Sequence, residues 1–379
     1  MKTRNEMDSK FMWKPEHIYG SSEEVTDEFQ LIEKATAQMP KFAGRLSEKE
    51  SLMKALRTSS DAMRRVMKLE SYAHRNRDVD MAEGYWQELS GMVESAQTSL
   101  AAATSYMEPE LLSYEEDVLK GFRDDPDFSV FTRYFDALLR NKPHTLSDKE
   151  EMIMAQFGGL SLAEYEIYST FSSTDMKFPK IEINGELVEV NMPTYARYRT
   201  SDDREIRKRV FDAFWKTYDG YKNGISKMLH YQIKYYTTVA KLRNYHDALE
   251  SEMNSNELPY DFFYTLRDNI RAILPALHEY LAVKKEVLNI PDQGYHDVYA
   301  KMVTGGSNRL FEYNEAVKLI NEAMKPMTDE YRNVLSESMK PENGWVDIYP
   351  NEGKRSGAYM SGEAYDTHPF VLLNHIDDY

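Results

Sequence analysis

Apolar residues recur along most of this chain at three- and four-residue spacing, the period of an amphipathic helix. Leu52, Leu56, Met63, Val66 and Ala73 form one stripe; Met81, Tyr85, Leu89, Met92, Ala96, Leu100 and Ala103 form a second that ends near Pro109. The polar run Asn76-Arg77-Asp78 between them reads as a turn, so the two stripes predict an antiparallel helical hairpin. Ser21-x-x-Glu24, Ser47-x-x-Glu50 and Ser147-x-x-Glu150 have the spacing at which two side chains satisfy each other's helix-start amides. No fixed-period repeat is present, which disfavours a solenoid of identical units.

The period changes once. Ile181-Glu182-Ile183 and Glu186 to Val190 alternate apolar and acidic residues on either side of Asn184-Gly185. That dipeptide favours a type I′ turn, so the stretch predicts a β-hairpin burying Ile181, Ile183 and the valines. A junction is expected near residues 191–200, separating an N-terminal helical lobe (1–194) from a second region (195–379).

Helical spacing resumes at the Ser201-Asp202 cap and runs through Ile206, Val210, Phe214, Tyr218, Ile225, Leu229, Ile233 and Tyr236 to about Lys241. At about 1.5 Å per residue this is a helix of roughly 60 Å, long enough to wall a channel. Phe263 to Leu281 marks another long helix, expected to kink or break near Pro275, and Ala316 to Ala323 one more, ending by Pro326. The run from Trp345 differs again: Gly353, Gly357 and Gly362 are followed by Pro369-Phe370-Val371-Leu372-Leu373-Asn374, an apolar block of strand length. The fold class is therefore mainly α, with a small hairpin and a short terminal strand.

Composition narrows the function. A net charge of −16 argues against a surface that tracks phosphates, hence against nucleic acid as a partner. With no cysteine there is neither a disulfide framework nor a thiolate nucleophile. No apolar run approaches the roughly 20 residues of a membrane span, and the N-terminal residues lack the apolar core of a signal peptide. Membrane partners are not expected, and a cytoplasmic location is.

Candidate chemistry is sparse. A helix-borne zinc site needs two histidines at i, i+4 with a glutamate between them, and no pair among the nine histidines has that spacing. His246 and His278 each begin such a motif and fail at its last position. His368 and His375 are seven apart, which sends them to opposite faces of an extended strand. There is no G-x-S-x-G elbow, and Gly353-Lys354-Arg355-Ser356 lacks the upstream glycine of a phosphate loop.

The run N-E-G-K-R-S-G-A-Y, then Gly362, Tyr365-Asp366 and H-P-F-V-L-L-N, resembles the segment before the zinc helix of the oligoendopeptidase F family, thimet-oligopeptidase-like zinc metallopeptidases. Leu138–Glu151, Pro179–Arg207 and Ala240–Glu250 match in the same order, so the resemblance spans essentially the whole chain. It implies an elongated, two-lobed helical channel fold whose second region opens a metallopeptidase domain, here with its catalytic lobe incomplete. It implies hydrolysis of oligopeptides with a zinc cofactor, although this chain lacks H-E-x-x-H and is expected to bind no zinc and to be inactive alone. Catalytic and metal-ligating residues are therefore assigned to none. Gly357, Tyr359, Leu372, Leu373 and Asn374 are implied as substrate-binding residues of a small sheet along whose edge a peptide backbone pairs.

The sequence thus reads as the N-terminal part of such a peptidase, with a missing C-terminal catalytic part as a possible partner. A non-catalytic peptide-binding protein and one half of a split peptidase are the alternatives. On the first reading, Ile225, Leu229 and Ile233, and Val371, Leu372 or Leu373 on the terminal strand, are expected to lie uncovered. Residues before about Thr194 should then outlast the rest under protease.

Overall fold

A computed structural model describes residues 2–158, 161–303 and 311–375. In chain order the helices are α1 (Ser22–Gln38), α2 (Lys49–Val79), α3 (Gly84–Thr104), α4 (Met107–Ser113), α5 (Glu116–Asp124), α6 (Thr132–Asn141), α7 (Asp148–Gly158) and α8 (Ala163–Thr170). The hairpin strands β1 (Lys180–Ile183) and β2 (Glu186–Glu189) follow, then α9 (Met192–Tyr198), α10 (Arg204–Leu242), α11 (Ala248–Ser255) and α12 (Asp261–Val287). The chain continues through α13 (Tyr313–Ala323) and α14 (Asp329–Ser338) into β3 (Val346–Asp347), β4 (Tyr359–Ser361) and β5 (Phe370–Leu372).

Two compact units result: residues 1–139 with 307–379, and residues 140–306. The junction read near residue 194 falls inside the second of them.

In the first unit, α2 and α3 form the expected helical hairpin, but its link is not Asn76-Arg77-Asp78. Helix α2 runs on to Val79 and the reversal occupies Asp80 to Glu83. Asp78 is buried with Tyr359 and Arg355 of the C-terminal segment as its polar partners, and buried Asn76 donates to the Tyr72 carbonyl within the helix. On α2, Leu52, Leu56, Val66 and Ala73 are buried as read, while Met63 faces outward. On α3 the buried stripe is shifted: Leu89, Val93 and Leu100 go inside, whereas Met81 before the helix and Tyr85 and Met92 on it are exposed. Two overlapping apolar stripes were available there, and packing against α1 and α2 chose between them.

The same core holds Trp13, Ile32, Val66, Leu69, Val93, Phe370 and Leu372. The terminal strand therefore completes the core of the first helices. Val371 and Leu373 pack beside Tyr313, Val346 and Ile348 in a neighbouring cluster. The expectation that this strand lies uncovered is overturned: its alternating side chains fill two cores already present in the chain.

The second unit contains the hairpin as read. Asn184 and Gly185 have φ of 54° and 86°, as a type I′ turn requires, and Ile181 pairs with Val188. Ile183, Val190, Tyr195, Val210 and Phe214 make its core. Helix α10 has 39 residues and begins one residue later than read, capped by Asp203, whose carboxylate accepts from the Glu205 and Ile206 amides. Helix α12 is continuous through Pro275. Of the α10 stripe, Leu229 and Ile233 are 60% and 57% exposed, as expected, whereas Ile225 is half-buried along an apolar groove with Phe171 and Tyr221.

Candidate functional site

The five residues singled out near the C-terminus converge on one three-stranded sheet. Its order is β3-β5-β4: β5 pairs parallel to β3 and antiparallel to β4, with Tyr359 opposite Leu372. The terminal strand is thus central, and both its edges are occupied. Leu372 is fully buried and Leu373 donates its amide to the Asp347 carbonyl at 2.8 Å. Residues 370–374 therefore offer no edge to a peptide. The outer strands are β3, both of whose residues are buried, and β4, where Met360 is 65% exposed.

The loop leading into β4 is held from both sides. Asn374 Nδ2 donates to the carbonyls of Arg355 (2.9 Å) and Gly357 (2.7 Å). Gly357 and Gly353 have φ of 86° and 79°, a region where a Cβ brings strain. A Cβ on Gly353 would also lie 3.0 Å from Asp80 Oδ1, while Gly357 has open space around it. At the end of α2, Asp78 accepts from the Tyr359 hydroxyl at 2.7 Å and from Arg355 Nη1 at 3.3 Å. Burial, and then the bond to Asp78, keeps the Tyr359 phenol un-ionised to well above its usual range.

Beneath the sheet lies a charge centre for which the sequence reading gave no warning. Asp347 is buried on β3 and receives Lys354 Nζ at 2.7 Å, Arg4 Nη1 at 3.0 Å and the Trp13 amide at 3.2 Å. Lys354 Nζ also donates to the Tyr349 carbonyl at 2.6 Å. Burial lowers the Lys354 pKa, and Asp347 acts against that. Lys354 therefore anchors the loop and is not presented to a phosphate. The available signal was an aspartate inside the apolar run Trp345-Val346-Asp347-Ile348-Tyr349.

The histidines do not gather. His368 stacks on Trp345 (4.4 Å, 3°) and its Nε2 faces His17 Nδ1 at 2.9 Å, whereas His375 reaches the Phe311 carbonyl at 3.0 Å. Among the described residues no three His, Cys, Asp or Glu side chains are placed to hold a metal ion. The donor set of a zinc site is absent from them, so the described residues do not fit that ion.

The sequence pattern of Peptidase family M3 matches residues 197–377, and that of Oligopeptidase F matches 110–178. Oligopeptidase PepF of Bacillus subtilis is 32% identical over 374 residues, covering 98% of this chain and 55% of the relative. Group B oligopeptidase PepB of Streptococcus agalactiae is 29% identical, covering 98% and 61%. The crystal structure of a Chlamydophila abortus peptidase superposes with a TM-score of 0.89 at 26% identity, over 100% of this chain and 64% of that one. This chain therefore spans little more than half the length of the PepF relative and under two thirds of the other two.

Proposed function

This chain belongs to the oligoendopeptidase F family within Peptidase family M3, and from that membership we propose that it forms the peptide-binding side of a zinc metallopeptidase that hydrolyses short peptides. The observation that carries the reading is the sheet edge at β4, exposed at Met360 and braced by Asp78, Asn374 and the buried Asp347–Lys354 pair. An extended peptide adding to such an edge gains main-chain hydrogen bonds whatever its side chains, which suits a sequence-tolerant oligopeptidase. Gly357 and Tyr359 deliver this edge; Leu372, Leu373 and Asn374 support it from behind.

The residues that would bind zinc are not among those described, so hydrolysis is assigned to the family's complete machinery and peptide capture to this chain. The domain boundary near residue 194 is retained as a proposal, supported by the two family patterns falling on either side of it. A cytoplasmic site of action is proposed on the acidic, cysteine-free composition; no helix among the described residues is long and apolar enough to cross a membrane.

Calorimetry with an unmodified octapeptide, and with the same peptide N-methylated at alternate amides, tests the reading. Saturable binding of the first and its loss in the second support it. Equal binding of both, or of neither, refutes it. Metal analysis alongside should find no stoichiometric zinc retained by the 379-residue chain.

A further inference from the structure

Arg75 lies in the last third of α2 with 8% of its surface accessible. Among the other buried or half-buried arginines, Arg207 and Arg204 meet Asp297 and Arg4 meets Asp347, whereas Arg199 stacks on Tyr299 with its Nε unpartnered. Arg75 meets none among the described residues. Its guanidinium stacks on the ring of Tyr359, 4.8 Å from the centroid, and its Nε and Nη1 are shut from solvent without a hydrogen-bond acceptor. Stacking on a neutral ring offsets only part of the cost of withdrawing a cation from water.

Neither acid beside Tyr359 fills the role of partner to Arg75: Asp78 is taken by the Tyr359 hydroxyl and Arg355. The exposed Glu363 accepts from the Ser361 hydroxyl, and that bond comes first in lowering its pKa, with the charges of Arg75 and His74 adding to it. His74 Nε2 is likewise buried without a partner. Arg75 thus lies against β4, an outer strand of its sheet, and His74 acts on the Glu363 that follows that strand.

We propose that Arg75 is the receptor for a carboxylate of a peptide lying along β4, with the Tyr359 ring holding the guanidinium plane. The inference rests on the peptide-binding reading and adds a substrate class to it: peptides ending in a free carboxylate beside the strand, or carrying an acidic side chain there. Both present the planar two-oxygen group that a guanidinium recognises. Arg75 is a specificity-determining residue, and Glu363 is the internal acid that competes with the ligand.

The test uses the full chain and one neutral heptapeptide in three forms: free acid, C-terminal amide, and amide with one internal Glu. Calorimetry should show Arg75→Gln weakening the two carboxylate forms at least about tenfold while leaving the neutral amide within about twofold. Arg75→Lys should fall between, and Glu363→Gln should tighten the carboxylate forms. The acid and Glu arms tell terminus from side chain. Uniform weakening of all three forms, or wild-type affinity equal for acid and neutral amide, overturns the proposal.

If no heptapeptide binds the unaltered chain, the peptide reading fails and N-acetylalanine decides this one. A saturable shift of the Arg75 Nε–H resonance, absent with N-acetylalanine amide, sustains the carboxylate site. No shift ends it.

Discussion

Lys354 and Asp347 face each other at 2.7 Å with both side chains almost wholly removed from solvent. Seven residues apart in sequence, they close the turn from β3 toward the glycine loop, and Arg4 brings a second cation to Asp347 from the far end of the chain. Removing Lys354 leaves the buried Asp347 with Arg4 as its one remaining cation and strips the Asp347 and Tyr349 carbonyls of the bonds from Nζ. Lys354→Met should therefore destabilise the first unit by about 3 kcal/mol in denaturant unfolding. The double variant Lys354→Met/Asp347→Leu should recover part of that loss, and a loss as large as the single variant's would argue against the pairing as the cause.

The two positive-φ glycines separate strain from crowding. Gly357→Ala meets open space and should cost about 1 kcal/mol, the backbone penalty alone. Gly353→Ala adds a contact at 3.0 Å with Asp80 Oδ1, so its unfolding midpoint should fall further. Equal midpoints for the two variants would show that Asp80 moves aside freely.

In the second unit, Asp297 is buried and its pKa is lowered to about 2. Burial opposes ionisation, and bonds from Arg204, the Gly294 amide and Arg207 outweigh it. A depressed carboxylate contributes stability that is complete above its unfolded pKa of about 3.8 and is lost as pH falls toward 2. Acid unfolding of the wild type should show this loss, and Asp297→Asn should lack that portion of it. At neutral pH the same variant should be about 3 kcal/mol less stable, since Arg207 stays buried with its carboxylate gone.

His368 is held neutral chiefly by burial, with His17 acting in the same direction and its bond to the Pro369 carbonyl against them. Its folded pKa lies below the unfolded value of about 6.5, so its contribution is complete above that pH and declines as pH falls through it. Between about pH 7.5 and 5 the unfolding free energy of the wild type should drop, by at most about 1.4 kcal/mol per pH unit for this one group. His368→Gln should flatten the slope to what His74, also depressed by burial, still supplies. An unchanged slope would remove His368 from the account.

Because Phe370 and Leu372 share a core with Trp13 and Val66, cleavage between residues 140 and 306 should leave two fragments that co-elute. This replaces the expectation that the N-terminal residues alone survive protease. Phe370→Ala, costing about 3–5 kcal/mol, should separate the fragments on size exclusion.

Local periods carried most of the secondary structure. The 3.6-residue spacing of α10, the Asn184-Gly185 turn and the glycines before β4 are each set by short-range sterics and by which residues prefer water, so they are legible residue by residue. The sequence also carried the family, because matched segments keep their order along the chain. Tertiary structure decided three things that no local pattern encodes. Asn76-Arg77-Asp78 looks like a solvated turn until Tyr359 and Arg355, almost 300 positions later, satisfy Asp78 and let α2 continue. The block at 370–374 looks like a terminal edge strand until β3 and β4 pair on both its sides, which moves the open edge to Tyr359–Ser361. And a charge such as Asp347 or Arg75 reads as surface, because only partners brought from distant positions, or a carboxylate from outside the chain, make its burial affordable.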